Sequence, residues 1–156
     1  MRAGQHPVGW RAGASSIDRC VRTPGLTWWE AELPTNEQAA GPLDAGASPE
    51  VVLAHEALAV PGGIQRLGDG HGRHPDDLTY ARVVQQVHTA PVLSVLDPVK
   101  ETLCVAGHYH FRHSEQAMLD GMLVRQEVLN RSASADALAV LDLGDDVPRF
   151  ETVAMG

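Results

Sequence analysis

Leu103-Cys104-Val105-Ala106-Gly107-His108-Tyr109-His110 is the stretch that decides the fold. Four consecutive apolar residues read as a short strand covered on both faces, the kind that parallel sheets are made of. Gly107 then lets the chain turn, and two imidazoles one residue apart follow at the tip of that strand. A second stretch has the same grammar: Val51-Val52-Leu53-Ala54 is apolar and ends in His55-Glu56. Two neighbouring strands that each deliver a histidine at the carboxyl end place those side chains where open α/β sheets keep their sites. Neutral imidazole is the commonest side-chain ligand for transition metals, so His55, His108 and His110 are candidate metal ligands. Histidines at loop mouths are also ordinary surface residues.

Working outward, a short strand is expected around Val8 to Ala12, and Arg22-Thr23-Pro24-Gly25 is a turn. The adjacent Trp28 and Trp29 cannot share one narrow face, so one closes the edge of the core or meets a partner surface. Thr35 and Gln38 form a capping box that opens a short helix, which Gly41-Pro42 ends. Leu43 to Pro49 is read as loop. The Gly- and His-rich stretch from Pro61 to Pro75 has no periodicity and is read as a mobile surface loop carrying His71 and His74 as solvated side chains. Pro75-Asp76-Asp77 starts a helix whose apolar face is Tyr80, Val83, Val84 and Val87, with His88 solvated behind it. Pro91 starts a second short helix that Pro98 stops. Ala117-Met118-Leu119 and Met122-Leu123-Val124 flank Asp120-Gly121, a two-residue hairpin turn. Leu138 to Leu141 is the last strand expected, in a β-rich tail.

The bulk properties bound these readings. At 156 residues the chain suits one domain, taken as 1–156, and 44% apolar with 21% charged residues is a globular balance. A formal charge of -8 argues against a nucleic-acid scaffold, which needs a basic face. Cys20 and Cys104 lie in unlike surroundings, so both are expected as free thiols. No apolar run reaches membrane-span length and no signal peptide is legible, so a cytoplasmic location is expected.

The strand followed by Gly107-His108-Tyr109-His110, with an earlier strand ending in His55, resembles the last two metal motifs of the calcineurin-like metallophosphoesterases. Three further segments resemble a bacterial and phage branch of that family. They are Ala12 to Arg19, then Arg22 to Gly25 with Trp28-Trp29-Glu30, and Asn130-Arg131-Ser132, which resembles a late Asn-x-Gly-Ser turn. Arg131 and Ser132 depart from the Pro and Gly types found there. Leu138 to Leu143 resembles the strand that closes the domain, and the likeness covers about residues 10–153. It implies an α/β fold, a partial αββα metallophosphoesterase sandwich lacking its first strands. It also implies that His55 and His108 ligate one divalent ion and His110 another, the ions being Mn, Fe, Zn or Mg. The implied activity is metal-dependent hydrolysis of phosphate mono- or diesters, with a phosphorylated small molecule as substrate.

The family also carries an early Asp-x-His, a Gly-Asp whose aspartate bridges the metals, and a Gly-Asn-His whose histidine protonates the leaving group. None of these stands ahead of Trp10, and the Gly68-Asp69 pair comes after His55, in the wrong order. The chain therefore resembles the carboxyl-terminal half of such an enzyme, no catalytic residue is assigned, and activity in isolation is doubtful. One alternative is a non-catalytic, partner-dependent metal-binding half that self-associates through exposed sheet edges. A third reading starts from His108-Tyr109-His110-Phe111-Arg112-His113, which is similar to the H-x-H-x-D-H signature of metallo-β-lactamase-like hydrolases. Arg112 stands where that family has its aspartate ligand, and a cation cannot ligate zinc.

Overall fold

The computed structural model of the chain describes residues 6–33, 48–69, 74–144 and 146–153. The architecture is mixed α/β. Five strands, β1 (Val8–Arg11), β2 (Val51–Ala54), β3 (Thr102–Ala106), β4 (His113–Leu119) and β5 (Met122–Val128), form one sheet in the order β1-β2-β3-β5-β4. All pairings are parallel except β4 with β5, whose Asp120-Gly121 turn has both residues at positive φ, 48° and 82°. That is the backbone a two-residue hairpin demands, and the reason this dipeptide was readable. Two helices, α1 (Pro61–Gly68) and α2 (Pro75–Leu93), lie in the crossover from β2 to β3. Single turns of 3-10 helix cover Arg19–Val21 and Glu30–Glu32. The expected helix at Thr35–Gln38, most of the Leu43–Pro49 loop, and Gly70 with His71 lie outside the described residues.

The helices cover one face of the sheet. Val52, Cys104 and Val124 from three adjacent strands pack with Leu58, Val60, Val92, Leu93 and Leu96 into one buried cluster. Nearer the carboxyl ends of the strands, Ala106, Tyr109 and Val128 pack with Ala57, Leu67 and Ala81. Burial of these aliphatic groups, each worth roughly 1.5–3 kcal/mol when complete, is what holds helices to sheet. The opposite face is more open. Trp10, Leu53 and Val105 occupy one register row across β1, β2 and β3, and Trp10 and Leu53 are 61% and 38% exposed.

Three expectations about the crossover are corrected. Pro61–Gly68, expected as mobile loop, is helix α1. Its glycines answer to close packing. A Cβ at Gly62 would stand 2.7 Å from Glu115 Oε2, one at Gly63 2.9 Å from Val60 Cγ2, and one at Gly68 2.4 Å from Arg82 Nη2. Glu115 of β4 accepts from the first-turn amides of Gly62 and Gly63, both at 3.1 Å, so a carboxylate from another element caps the helix. Its pKa is lowered: burial opposes the charge, and the hydrogen bonds from His113 and from these amides outweigh it. His74 is exposed, as expected, and also caps α2 by accepting from the Asp76 amide.

Second, α2 runs unbroken through Pro91 to Leu93, where a separate helix was expected. Pro91 lies in the last turn, so the amide it lacks costs only one bond near the end. Third, the buried face of α2 is Asp77, Ala81, Gln85, His88, Thr89 and Val92, while Val83 and Val87 are exposed. His88, expected as solvated, is 5% exposed. Two of its polar neighbours answer partners outside the helix: Thr89 Oγ1, which donates to Gln85 O, accepts from the Ala59 amide, and Asp77 accepts from the Cys20 amide.

The tail also differs from the expected closing strand. β6 (Leu138–Asp142) pairs antiparallel with β7 (Arg149–Val153) in a separate two-stranded sheet. Trp28 is half-buried beside the guanidinium of Arg19, which also lies 3.6 Å over the Tyr80 ring, while Trp29 stays exposed. No helix among the described residues is long and apolar enough to cross a membrane.

Both cysteines are free, as expected, but their accessibility is opposite. Cys20 is exposed, whereas burial pushes the Cys104 thiol up to about 12. Titration of the native protein with a thiol-reactive dye is expected to label Cys20 alone, with the second equivalent appearing only in denaturant. Rapid labelling of both under native conditions would contradict the buried position of β3.

Candidate metal centre at the carboxyl edge of the sheet

The parallel register sets the geometry. Val52 pairs with Cys104 and Leu53 with Val105, so two residues further along, His55 and Gly107 leave the sheet side by side. His108 follows at once. Its φ is 69°, and the Tyr109 amide donates to Gly107 O at 2.8 Å, so the chain turns about His108 in a γ-turn of the rarer, strained kind. His110 also has positive φ, at 61°. Two non-glycine residues held in this region within three positions cost of order 1–3 kcal/mol each, and such strain persists where neighbouring structure enforces it.

The turn splays the three side chains apart. Tyr109 points into the core and is 1% exposed, stacking on Phe111. His108 lies against His55, ring centroids 4.8 Å apart, with His55 Nε2 and His108 Nδ1 separated by 3.0 Å. His110 is exposed. The structure thus brings His55 and His108 together. Among the described residues, no group of three or more His, Cys, Asp or Glu side chains is gathered closely enough to hold a metal ion, so His110 does not stand with the pair as a third ligand.

His108 is oriented from behind. Its Nε2 lies against the carbonyl oxygen of Ser15, in the loop that leaves β1. A carbonyl can only accept, so Nε2 carries the proton and the Nδ1 lone pair faces His55. A histidine that anchors one ring nitrogen on a backbone carbonyl and presents the other has the arrangement usual for metal-bound imidazole. With that lone pair accepting, His55 Nε2–H donates to His108 Nδ1 at 3.0 Å, so the two rings are hydrogen-bonded to each other. An ion bound here would have to displace the proton shared between the two rings, taking His55 Nε2 and His108 Nδ1 as its donors.

Beneath the pair lies a carboxyl group that sequence reading passed over. Glu56 is 1% exposed. Its Oε2 accepts from the Ser15 amide at 2.9 Å and from Ser15 Oγ at 3.1 Å, and its Oε1 accepts from the Tyr109 hydroxyl. One side chain therefore ties together the loops after β1, β2 and β3. Burial pushes the Glu56 carboxyl above its ordinary value, while the bonds from Tyr109, Ser15 and the Ala57 amide oppose that shift. The only signal of this in the sequence is an acid directly after a buried strand and its histidine, which is too common to single out.

The remaining candidates are engaged elsewhere. His113 is in β4, and its Nε2 is 2.9 Å from Glu115 under α1. Arg112 pairs with the fully buried Glu127, which Arg125 also contacts at 2.8 Å. In a metallo-β-lactamase-like reading these two residues would face the metal, and neither does. Asn130, after β5, holds its own turn through Asp136 and the Arg131 amide. Gly68 and Asp69 close α1. No protein-family model, curated protein or solved structure matches the chain.

The raised Glu56 carboxyl gives a pH signature of definite sign. A carboxyl whose folded pKa exceeds its unfolded value contributes stability that is complete below about 4.5 and is lost as pH rises through the folded pKa. Replacing it by Gln removes that loss. In chemical denaturation, the Glu56→Gln variant is expected to gain on wild type steadily as pH rises from 4.5. A constant difference between the two would show that Glu56 is not held above its ordinary pKa.

Proposed function

We propose that this chain is a metal-binding domain of the metallophosphoesterase type, in which His55 and His108 hold a divalent cation at the carboxyl edge of the sheet and phosphate esters are the substrate class. The single observation that carries the reading is the 3.0 Å approach of the two imidazole nitrogens, with His108 locked by Ser15 into the tautomer that leaves its Nδ1 lone pair facing His55. The resemblance assigns His110, exposed on the same turn, the remaining imidazole position. It also supplies the phosphate ester, since nothing in the pair itself distinguishes one acidic substrate from another.

In this reading the chain's own residues hold and orient. Ser15 fixes the ring of His108, Tyr109 and Glu56 fix the backbone from which it springs, and β2 delivers His55 in register. A bound divalent ion would polarise a coordinated water and neutralise phosphate oxygens. A donor set of imidazoles without a carboxylate favours Zn²⁺ or Fe²⁺ over Mg²⁺, which prefers oxygen.

Calorimetric titration with Zn²⁺ and with Mn²⁺ tests the centre. Saturable binding is expected, with His55→Ala and His108→Ala each weakening it at least tenfold. Unchanged affinity in both variants would remove the proposal. Hydrolysis of a chromogenic phosphodiester in the presence of the bound metal, measured against the His55→Ala/His108→Ala double variant, tests the substrate class. Metal binding without hydrolysis above that background would leave the metal centre standing and discard unaided catalysis.

A second reading, a metal-binding half that works against another protein surface, is favoured by the open sheet face. Val8 and Trp10 on the edge strand β1 are 42% and 61% exposed, and Leu53 adjoins them. Contiguous exposed apolar side chains on a sheet edge mark association surfaces. Sedimentation velocity of wild type is then expected to show concentration-dependent self-association that Trp10→Ser abolishes. A monomer at all concentrations would count against self-association.

A further inference from the structure

Arg11, the last residue of β1, is buried to 5% exposure on the helix-covered face. One guanidinium nitrogen, Nη1, donates to the His88 carbonyl oxygen at 3.2 Å. The other, Nη2, is buried with no hydrogen-bond partner, and among the described residues Arg11 forms no ion pair. An unpaired buried cation costs several kcal/mol, and folded proteins avoid that cost by supplying a counter-charge. Beside Arg11, His88 Nε2 is also buried and unpartnered. His88 stays neutral at physiological pH because burial, and then the charge of Arg11, depress its pKa to about 3.

Both residues line one cavity of about 260 Å³, whose remaining wall is largely apolar. Tyr80, Val83, Val84 and Val87 are there, the very stripe of α2 that the sequence offers as a core face. Val83 and Val87 are 53% and 59% exposed, so the apolar wall continues to the surface and the cavity has a way in. A largely apolar cavity with a buried arginine in its wall matches a ligand with an anionic head and an apolar tail. The cavity supplies a single positive charge, and the Glu56 carboxyl borders it, so a monoanion suits it better than a phosphate dianion.

We propose that this cavity binds a small monocarboxylate with an apolar tail, its carboxylate drawn to Arg11 and His88 and its tail along the Tyr80–Val87 stripe of α2. The site is separate from the imidazole pair, neither member of which borders it. The inference does not rest on the metallophosphoesterase reading.

The test uses octanoate as probe and 1-octanol as its neutral counterpart, with binding followed by calorimetry and by shift of the thermal midpoint. Octanoate is expected to bind saturably and at least tenfold tighter than octanol. Arg11→Met is expected to erase that preference, and Val84→Phe, which fills the sleeve, to weaken both probes. Equal affinity for octanoate and octanol in the wild-type protein, or no saturable binding of octanoate up to its solubility limit, overturns the proposal without recourse to any variant. An Arg11→Met protein that folds and binds octanoate as wild type does also overturns it. Metal affinity is expected to be the same with and without octanoate, so failure here and failure of the metal centre are read independently.

Discussion

The buried carboxyl group of Glu56 is the constraint on which the site depends. It receives the Ser15 amide and hydroxyl from the loop after β1 and the Tyr109 hydroxyl from the turn after β3, while its own backbone continues β2. Three loops that would otherwise leave the sheet independently are thereby clamped at one point. Ser15 and Tyr109 are the residues that set His108: one accepts from its ring, the other follows it in the strained turn. The clamp is expensive in electrostatic terms, since burial disfavours the charged form. Four donors on one group, from Ser15 twice, Tyr109 and the Ala57 amide, are what make the arrangement tolerable.

The same logic of polar groups answered from a distance recurs through the crossover. Glu115 on an edge strand caps α1, Asp77 in α2 receives the Cys20 amide and faces Arg19, and Thr89 bridges α2 to the chain after β2. Each is a polar residue that a periodicity argument assigns to solvent. Each is at or near the interior because its partner comes from another part of the chain. Arg11 Nη2, Asp77 Oδ1, Gln85 Oε1 and His88 Nε2 are buried without a hydrogen-bond partner, and of these residues Arg11 and His88 border an apolar cavity.

Two sites of different character thus share one end of a small sheet. The imidazole pair is near the surface, built on a strained turn and a strand end, with the two rings bonded to each other. The Arg11 cavity is inside, dry and apolar, reached along α2. Glu56 adjoins both: it holds the turn of the first and lines the wall of the second.

By itself the sequence determined the strands and the hairpin. Val51–Ala54 and Leu103–Ala106 are continuous apolar runs that are strands as expected, although the sheet is covered on one face and leaves Leu53 exposed on the other, and Asp120-Gly121 takes the positive φ values of a tight hairpin. It also determined that two histidines leave adjacent parallel strands together, because residue counts along paired strands are local facts. Tertiary structure decided the rest. Helix α1 was invisible because its three glycines are poor helix formers, and the carboxylate that caps its first turn comes from Glu115 of β4. The orientation of α2 was inverted because its polar face meets partners and its valine face meets a cavity. Only three-dimensional packing separated His110 from the His55–His108 pair, since the direction of a side chain after a positive-φ residue depends on what clamps the turn. Local spacing sets which residues arrive at an edge, and long-range packing sets where each of them points.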